Sequence, residues 1–209
     1  MVSKNSKNLK SKSPYSGSLT REQFLFNEMR ITAKLKLELN DDEEIINKIY
    51  SENLLQYKTE KSLKNIANVC LKRLNSLNNK KIVKIIAQAP AEASKQACLY
   101  AMMKQQRIVW DFFINIIGQK FSTHDYNFSN LDINVFILQL QEQDELVASW
   151  SDSTINKIKQ VLKKVMLENK YIDDRNSTKL NKVLLDNSLK QEIVNNNDNI
   201  ALKAFNNFE

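Results

Sequence analysis

Side chains able to do catalytic or metal chemistry are few in this chain, and they are scattered. There is one histidine, His124, and there are two cysteines, Cys70 and Cys98. One imidazole and two separated thiols cannot complete a tetrahedral zinc site without carboxylates. His124 sits in the polar stretch Phe121-Ser122-Thr123-His124-Asp125 and reads as a loop or capping residue. Cys70 falls on an apolar helical face and Cys98 beside Leu99, so both read as buried thiols. A phosphate-cradling loop or a dinucleotide fingerprint needs several glycines within about seven residues. The only glycines, Gly17 and Gly118, stand far apart. The sequence therefore predicts no enzyme, no metal, no cofactor and no small-molecule substrate. A hydrolase built on scattered carboxylates is the one catalytic class it leaves open.

Binding to a polyanion is the chemistry that remains. The formal charge is +7. Residues 1–20 carry Lys4, Lys7, Lys10 and Lys12 and no acid, whereas residues 21–150 are nearly balanced. Residues 151–190 hold nine basic side chains against five acidic ones. Such a surplus steers a protein toward polyanions, although a chain this rich in Lys, Asn and Ile also carries lysine for compositional reasons. In residues 153–166, helical spacing gathers Ile155, Ile158, Val161, Leu162, Val165 and Met166 on one side. Ser153, Asn156, Lys157, Gln160, Lys163 and Lys164 gather on the other. Lysines suit phosphates, and Asn and Gln suit base edges. Arg175 and Lys179 would lie in an adjacent hairpin tip. A second candidate DNA face is Lys58, Lys61, Lys64, Asn65, Asn68 and Lys72, on a helix from Thr59 to about Leu77. A solvated basic face in an ordinary bundle looks the same.

Two glycines and two prolines are too few for the tight turns of a sandwich, barrel or doubly wound sheet. The periodicity predicts a mainly α chain: a helical N-terminal part, then a small winged helix-turn-helix-like unit with a short β-hairpin. Residues 1–18 read as a disordered basic tail. Thr20 reads as the cap of a helix running to Leu39, and Asp41 or Asp42 as the cap of a short one. A helix follows Thr59, another starts near Asn78, and Pro90 opens one that ends near Gln105. Residues 107–120 form the most apolar helix. The expected organisation is 1–18 tail, 19–128 helical domain, 129–190 winged unit and 191–209 terminal helical turns. In the winged unit, helices at 131–140 and 143–150 precede a third that starts after the cap Ser151-Asp152-Ser153. The hairpin would pair Tyr171-Ile172 with Val183-Leu184-Leu185. Met102, Met103, Trp110, Phe112 and Phe113 read as core or, in part, as a partner-docking surface; Trp150 reads as a core anchor. No window approaches the roughly 18 apolar residues of a membrane span, and two cysteines without an apolar leader predict a reducing, cytoplasmic location.

Three stretches carry a resemblance. They are Tyr15-Ser16-Gly17-Ser18-Leu19 with Phe24 through Arg30; Leu99 through Lys104 with Arg107 through Phe121; and Gln141 through Asp144, continuing through Trp150-Ser151-Asp152-Ser153-Thr154 to Tyr171-Ile172-Asp173. Through them the chain resembles the BrxA family of bacteriophage exclusion (BREX) defence systems. The resemblance implies a cytoplasmic, helical, helix-turn-helix-containing protein that binds double-stranded DNA beside other BREX proteins. It supplies no DNA-contacting residues, so the two faces above rest on helix geometry alone. The expected function is non-catalytic duplex binding with little sequence specificity. A protein–protein adaptor and a helical RNA-binding protein are the alternatives.

Overall fold

The computed structural model describes residues 13–208, and the lysines at positions 4, 7, 10 and 12 lie outside them. Among the described residues the chain is helical with no strand, in line with the mainly α expectation. It divides into two units. Of the described residues, one unit comprises 24–105 and 185–202, and the other comprises 13–23, Gln106–Leu184 and 203–208.

The unit built on 24–105 begins with α1 (Phe26–Glu38), α2 (Asp42–Ser51), α3 (Glu60–Ser76), α4 (Lys80–Gln88) and α5 (Ala91–Gln105). It is completed by α11 (Asn187–Asn195), which follows the helices of the other unit in the chain. Short polar side chains start these helices by accepting first-turn amides. Asp41 accepts from Glu43, Thr59 from Ser62, Asn79 from Lys81 and Ile82, and Asp186 from Ser188 and Leu189. Leu35, Ile45, Ile49, Leu55, Leu63, Ala67 and Leu71 form a core cluster between α1, α2 and α3. Helix α5 is buried along most of its length, with Ala93, Ser94, Ala97, Cys98 and Ala101 small enough for close packing. Arg73 is fully buried and donates to the Phe24 carbonyl at 3.1 Å. Arg30 covers the last carbonyls of the α4 segment, donating to those of Ala87 and Ala89. Asn79 also donates to Glu192 and Asn196, which ties α11 to the start of α4.

The other unit holds α6 (Arg107–Asp111), a π-helical segment (Phe112–Gly118), α7 (Gln119–Ser122), α8 (Asn130–Gln143), α9 (Glu145–Ala148) and α10 (Asp152–Glu168). Its core is aromatic. Tyr171 packs edge-on to Phe113 at 5.2 Å and stacks on Phe121, while Phe112 meets Phe113 and Phe136. The buried Tyr171 hydroxyl donates to the Ala204 carbonyl at 2.8 Å. Gly118 lets Lys203 pass close by: a Cβ there would stand 3.1 Å from the Lys203 Cβ and 3.2 Å from its carbonyl oxygen, tighter than ordinary contact.

Two expectations are corrected. The winged unit with a β-hairpin is absent: neither Tyr171-Ile172 nor Val183-Leu184-Leu185 is a strand, and the described residues contain only one isolated bridge, Asn127 with Lys179. The reason is local. Lys170 takes a left-handed backbone (φ 59°), and the Lys170 and Tyr171 amides return to the carbonyls of Leu167 and Met166. Tyr171 thus belongs to a Schellman helix end, and its side chain to the core. Leu184 is 91% exposed. The second correction is at Thr20, which does not cap a helix to Leu39. Its hydroxyl donates back to the Gly17 carbonyl in a 3-10 turn (Gly17–Thr20), Leu25 is left-handed (φ 57°), and the helix starts at Phe26.

Candidate nucleic-acid interface

Helix α10 divides as its sequence divides. Ile155, Ile158, Val161, Leu162, Val165 and Met166 are buried. Ser153, Asn156, Lys157 and Gln160 are exposed, and Lys163 and Lys164 are half-buried. Ser151 starts the helix by accepting the Thr154 amide.

The two half-buried lysines have intramolecular partners. Lys163 Nζ donates to the Arg175 carbonyl at 2.9 Å, drawing the 173–179 loop against the helix. Lys164 Nζ donates to Gln23 Oε1 at 3.1 Å. Arg175 and Lys179 are themselves exposed. Within the loop, Asp174 accepts the Asn176 amide and Asn181 donates to Asp173. The Lys179 stretch is held by the Leu180 amide on the Tyr126 carbonyl and the Phe128 amide on the Thr178 carbonyl. Six of the eight primary candidates therefore face solvent, and two act as struts.

Residues 13–23 lie across this unit as a strap. Tyr15 donates to Asp111 at 2.9 Å, and Arg107 donates to the same carboxylate oxygen at 2.8 Å. Burial, then the bond to Asp111, pushes the Tyr15 hydroxyl up to about 12. Buried Gln106 donates to Ser18 and Glu22. Leu19 is fully buried. A Cβ on Gly17 would lie 3.8 Å from Thr154 Cγ2 and 4.0 Å from Trp150 Nε1, so the strap begins at the first turn of α10 and reaches Lys164 through Gln23. Arg21 stands exposed on it. Reading Thr20 as a helix cap hid this element; the one usable signal was a glycine at position 17 in a chain with so few.

The second face is arranged differently. Lys58, Lys61, Lys64, Asn65, Asn68 and Lys72 are all exposed, the last five on α3. Lys64 lies over the Tyr50 ring at 4.4 Å, and Asn68 folds back on the Lys64 carbonyl. The connection from α2 to α3 carries Leu54, Leu55 and Tyr57 into the core cluster, so it is a packed loop rather than a tight turn. Asn75 donates to Asp42 at 2.7 Å, which brings the acidic first turn of α2 (Asp42, Glu43, Glu44) to the end of α3. That acidity opposes the lysines in attracting phosphate. The α10 face also has acids nearby, exposed Asp173 and Asp174 next to Arg175, but Asp174 accepts the Asn176 amide and Asp173 accepts from Asn181.

Other candidates have structural settings. His124 takes the left-handed position (φ 55°) ending α7, with its amide on the Phe121 carbonyl and that of Asp125 on Lys120. Cys70 and Cys98 are free and buried. Met102, Met103, Phe112 and Phe113 are buried, while Trp110 and Trp150 are partly so. Among the described residues no group of three or more His, Cys, Asp or Glu could hold a metal ion. Nor is any helix among them long and apolar enough to cross a membrane.

The class so defined is a helical protein, without strands among the described residues, whose final long helix presents amides and a lysine between a strap and a loop. Residues 13–197 match the BrxA family. The chain is 32% identical over 161 residues to the BREX protein BrxA of Bacillus cereus (strain H3081.97), covering 77% of this chain and 80% of that protein. It is 25% identical over 177 residues to the BREX protein BrxA of Escherichia coli O9:H4 (strain HS), covering 85% and 83%. A crystal structure of an uncharacterized protein from Magnetospirillum magneticum shares the fold, with a TM-score of 0.80 at 20% identity over 92% of this chain and 98% of that one. The chain belongs to the BrxA family of BREX phage-defence systems.

Proposed function

We propose that this protein is a non-catalytic, double-stranded DNA-binding component of a BREX system, acting in the cytoplasm with other BREX proteins, and that α10 with the 173–179 loop meets the duplex. The observation that carries this reading is the pairing of Lys163 with the Arg175 carbonyl. It sets a cation-bearing loop beside a helix face whose Ser153, Asn156, Lys157 and Gln160 are free of the core. Lysine and arginine contacts to phosphate supply most of the affinity, largely without regard to sequence. The test is fluorescence anisotropy of a labelled duplex of about 30 base pairs over a series of salt concentrations. Log affinity falling linearly with log salt supports the reading. Replacing Lys157, Arg175 and Lys179 together by Glu abolishes binding if the site is right. Undiminished affinity in that variant sinks the assignment to α10.

One observation favours a protein-adaptor role as the second reading. On α8, Leu131 is 67% exposed and Leu138 56% exposed, and Val135 completes a row at helical spacing. Glu substitutions at Leu131 and Leu138 that release a BREX partner while duplex binding persists would establish that role beside DNA binding. If no duplex binds at low salt, the adaptor reading replaces the first. Competition between duplex DNA and RNA decides the RNA alternative.

A further inference from the structure

The front of α10 lies between two flanks. On one side the strap accompanies the helix from Gly17, beside Thr154 and Trp150, to Gln23 on Lys164. On the other the loop is held through Lys163 and the Arg175 carbonyl. Lys163 and Lys164 are consecutive, so their stems leave the helix about 100° apart and diverge toward the two flanks. Between those directions stand exposed Asn156 and Gln160, with exposed Lys157 about 20° beyond Lys164 on the strap's side. Each flank carries an exposed arginine, Arg21 on the strap and Arg175 on the loop.

A helix with its side chains is roughly 10–12 Å across, and the major groove of B-form DNA is about 12 Å wide. A helix seated there fills the groove, so the phosphates on its two walls are met by whatever flanks the helix. We propose that Arg21 and Arg175 are phosphate contacts on opposite walls of a major groove that receives α10. Asn156 and Gln160 then face the base edges, and Lys163 and Lys164 act as positioning residues that hold the two arginine-bearing segments in place. This rests on the DNA reading and deepens it, from polyanion binding to insertion into a duplex. A single strand has one backbone and cannot satisfy both flanks at once.

The experiment is the salt dependence of duplex affinity for the full chain and for Arg21→Gln, Arg175→Gln, Lys163→Met and the Lys163→Met/Arg175→Gln pair. Circular dichroism and thermal melting confirm that each variant is folded. Each phosphate contact contributes about 0.9 to the slope of log affinity on log salt. Arg21→Gln and Arg175→Gln are each expected to flatten the slope by about that amount. Lys163→Met should flatten it as Arg175→Gln does and add nothing in the double variant, because both remove the same contact. An unchanged slope in Arg21→Gln overturns the strap wall. Additive loss in the double variant makes Lys163 a phosphate contact and overturns its positioning role. Equal affinity of the native protein for a single strand of the same length overturns groove insertion. Failure of the native protein to bind any duplex at low salt is a different result, because it removes the DNA reading itself.

Discussion

Replacing Leu19 by Ala tests whether the strap is an anchored element of its own. Leu19 is fully buried, and the substitution removes three carbons, about 2.4 kcal/mol of transfer free energy at roughly 0.8 per carbon. The cavity left behind raises the expected loss to about 3–5 kcal/mol. The polar anchors Tyr15–Asp111, Gln106–Ser18 and Lys164–Gln23 remain, so the loss falls on local opening of residues 13–23. Exposed Arg21 reports on that opening, because trypsin cuts after it only when the strap leaves the surface. Where cleavage follows the open population, about 3 kcal/mol corresponds to roughly a hundredfold faster cut at Arg21. Limited proteolysis with mass spectrometry reads this against Lys157 on α10 as the internal control. A rise of less than about tenfold, or an equal rise at Lys157, refutes the reasoning. The first would mean that Leu19 is not the anchor, and the second that the strap and helix open as one.

Gly118→Ala places a Cβ 3.1 Å from the Lys203 Cβ and 3.2 Å from its carbonyl oxygen, so it should cost about 1–3 kcal/mol and lower the melting temperature by several degrees. In acid, Lys120 is the first cause holding Asp125 below the usual carboxylate range. For Asp132, burial raises the value, but the Lys120 and Ser129 hydrogen bonds outweigh it and the net shift is downward. A depressed carboxylate stabilises the fold above its unfolded pKa and loses that contribution as pH falls through the folded one. The urea midpoint should therefore drop below about pH 4, and Lys120→Met should be weaker at pH 7 by a margin that shrinks toward pH 3. Burial pushes the Cys70 thiol up to about 12 and Cys98 further in the same direction. Both should resist a thiol reagent in native buffer and react together only with unfolding; fast native labelling of either contradicts its burial.

The helices were legible where sequence and energy act over the same few residues. Asp41, Thr59 and Ser151 start the helices they were expected to start, since an N-cap depends only on its own side chain and the next three amides. The strap and the loop were not legible, because long-range partners decide them. Thr20 followed by Gln23 imitates a capping box, but Gln23 is engaged by Lys164, far along the chain. Tyr171-Ile172 has the composition of a strand, and a short apolar run does not reveal whether it will pair or be buried beside a helix end. Here Phe113 and Phe121 claim Tyr171. The lack of glycine was informative about class but not about turns. Asn53, Asn78, His124, Lys170, Asn197 and Asn206 adopt the left-handed conformations that glycine usually supplies.

The same distinction limits what a basic helix face says about binding. Periodicity assigns Lys163 and Lys164 the same side of α10 as Lys157, because it fixes the direction in which a side chain leaves the helix. It does not fix where a four-carbon stem ends, and both ammonium groups end on oxygen atoms of this chain. Lys182 is likewise placed over the Tyr126 ring. Of the nine basic residues in 151–190, Lys157, Arg175 and Lys179 are the exposed ones that the proposed α10 interface would offer to phosphate, and Arg21 would join them from outside that segment. Four contacts correspond to a salt slope of about −3.6, at roughly 0.9 each. Each of Lys4, Lys7, Lys10 and Lys12 that also reaches the duplex steepens it by the same amount. A slope much shallower than −3.6 is thus incompatible with the α10 interface, whereas one approaching −7 requires about four further cations, for which the four N-terminal lysines and exposed Lys170 and Lys182 are the sources.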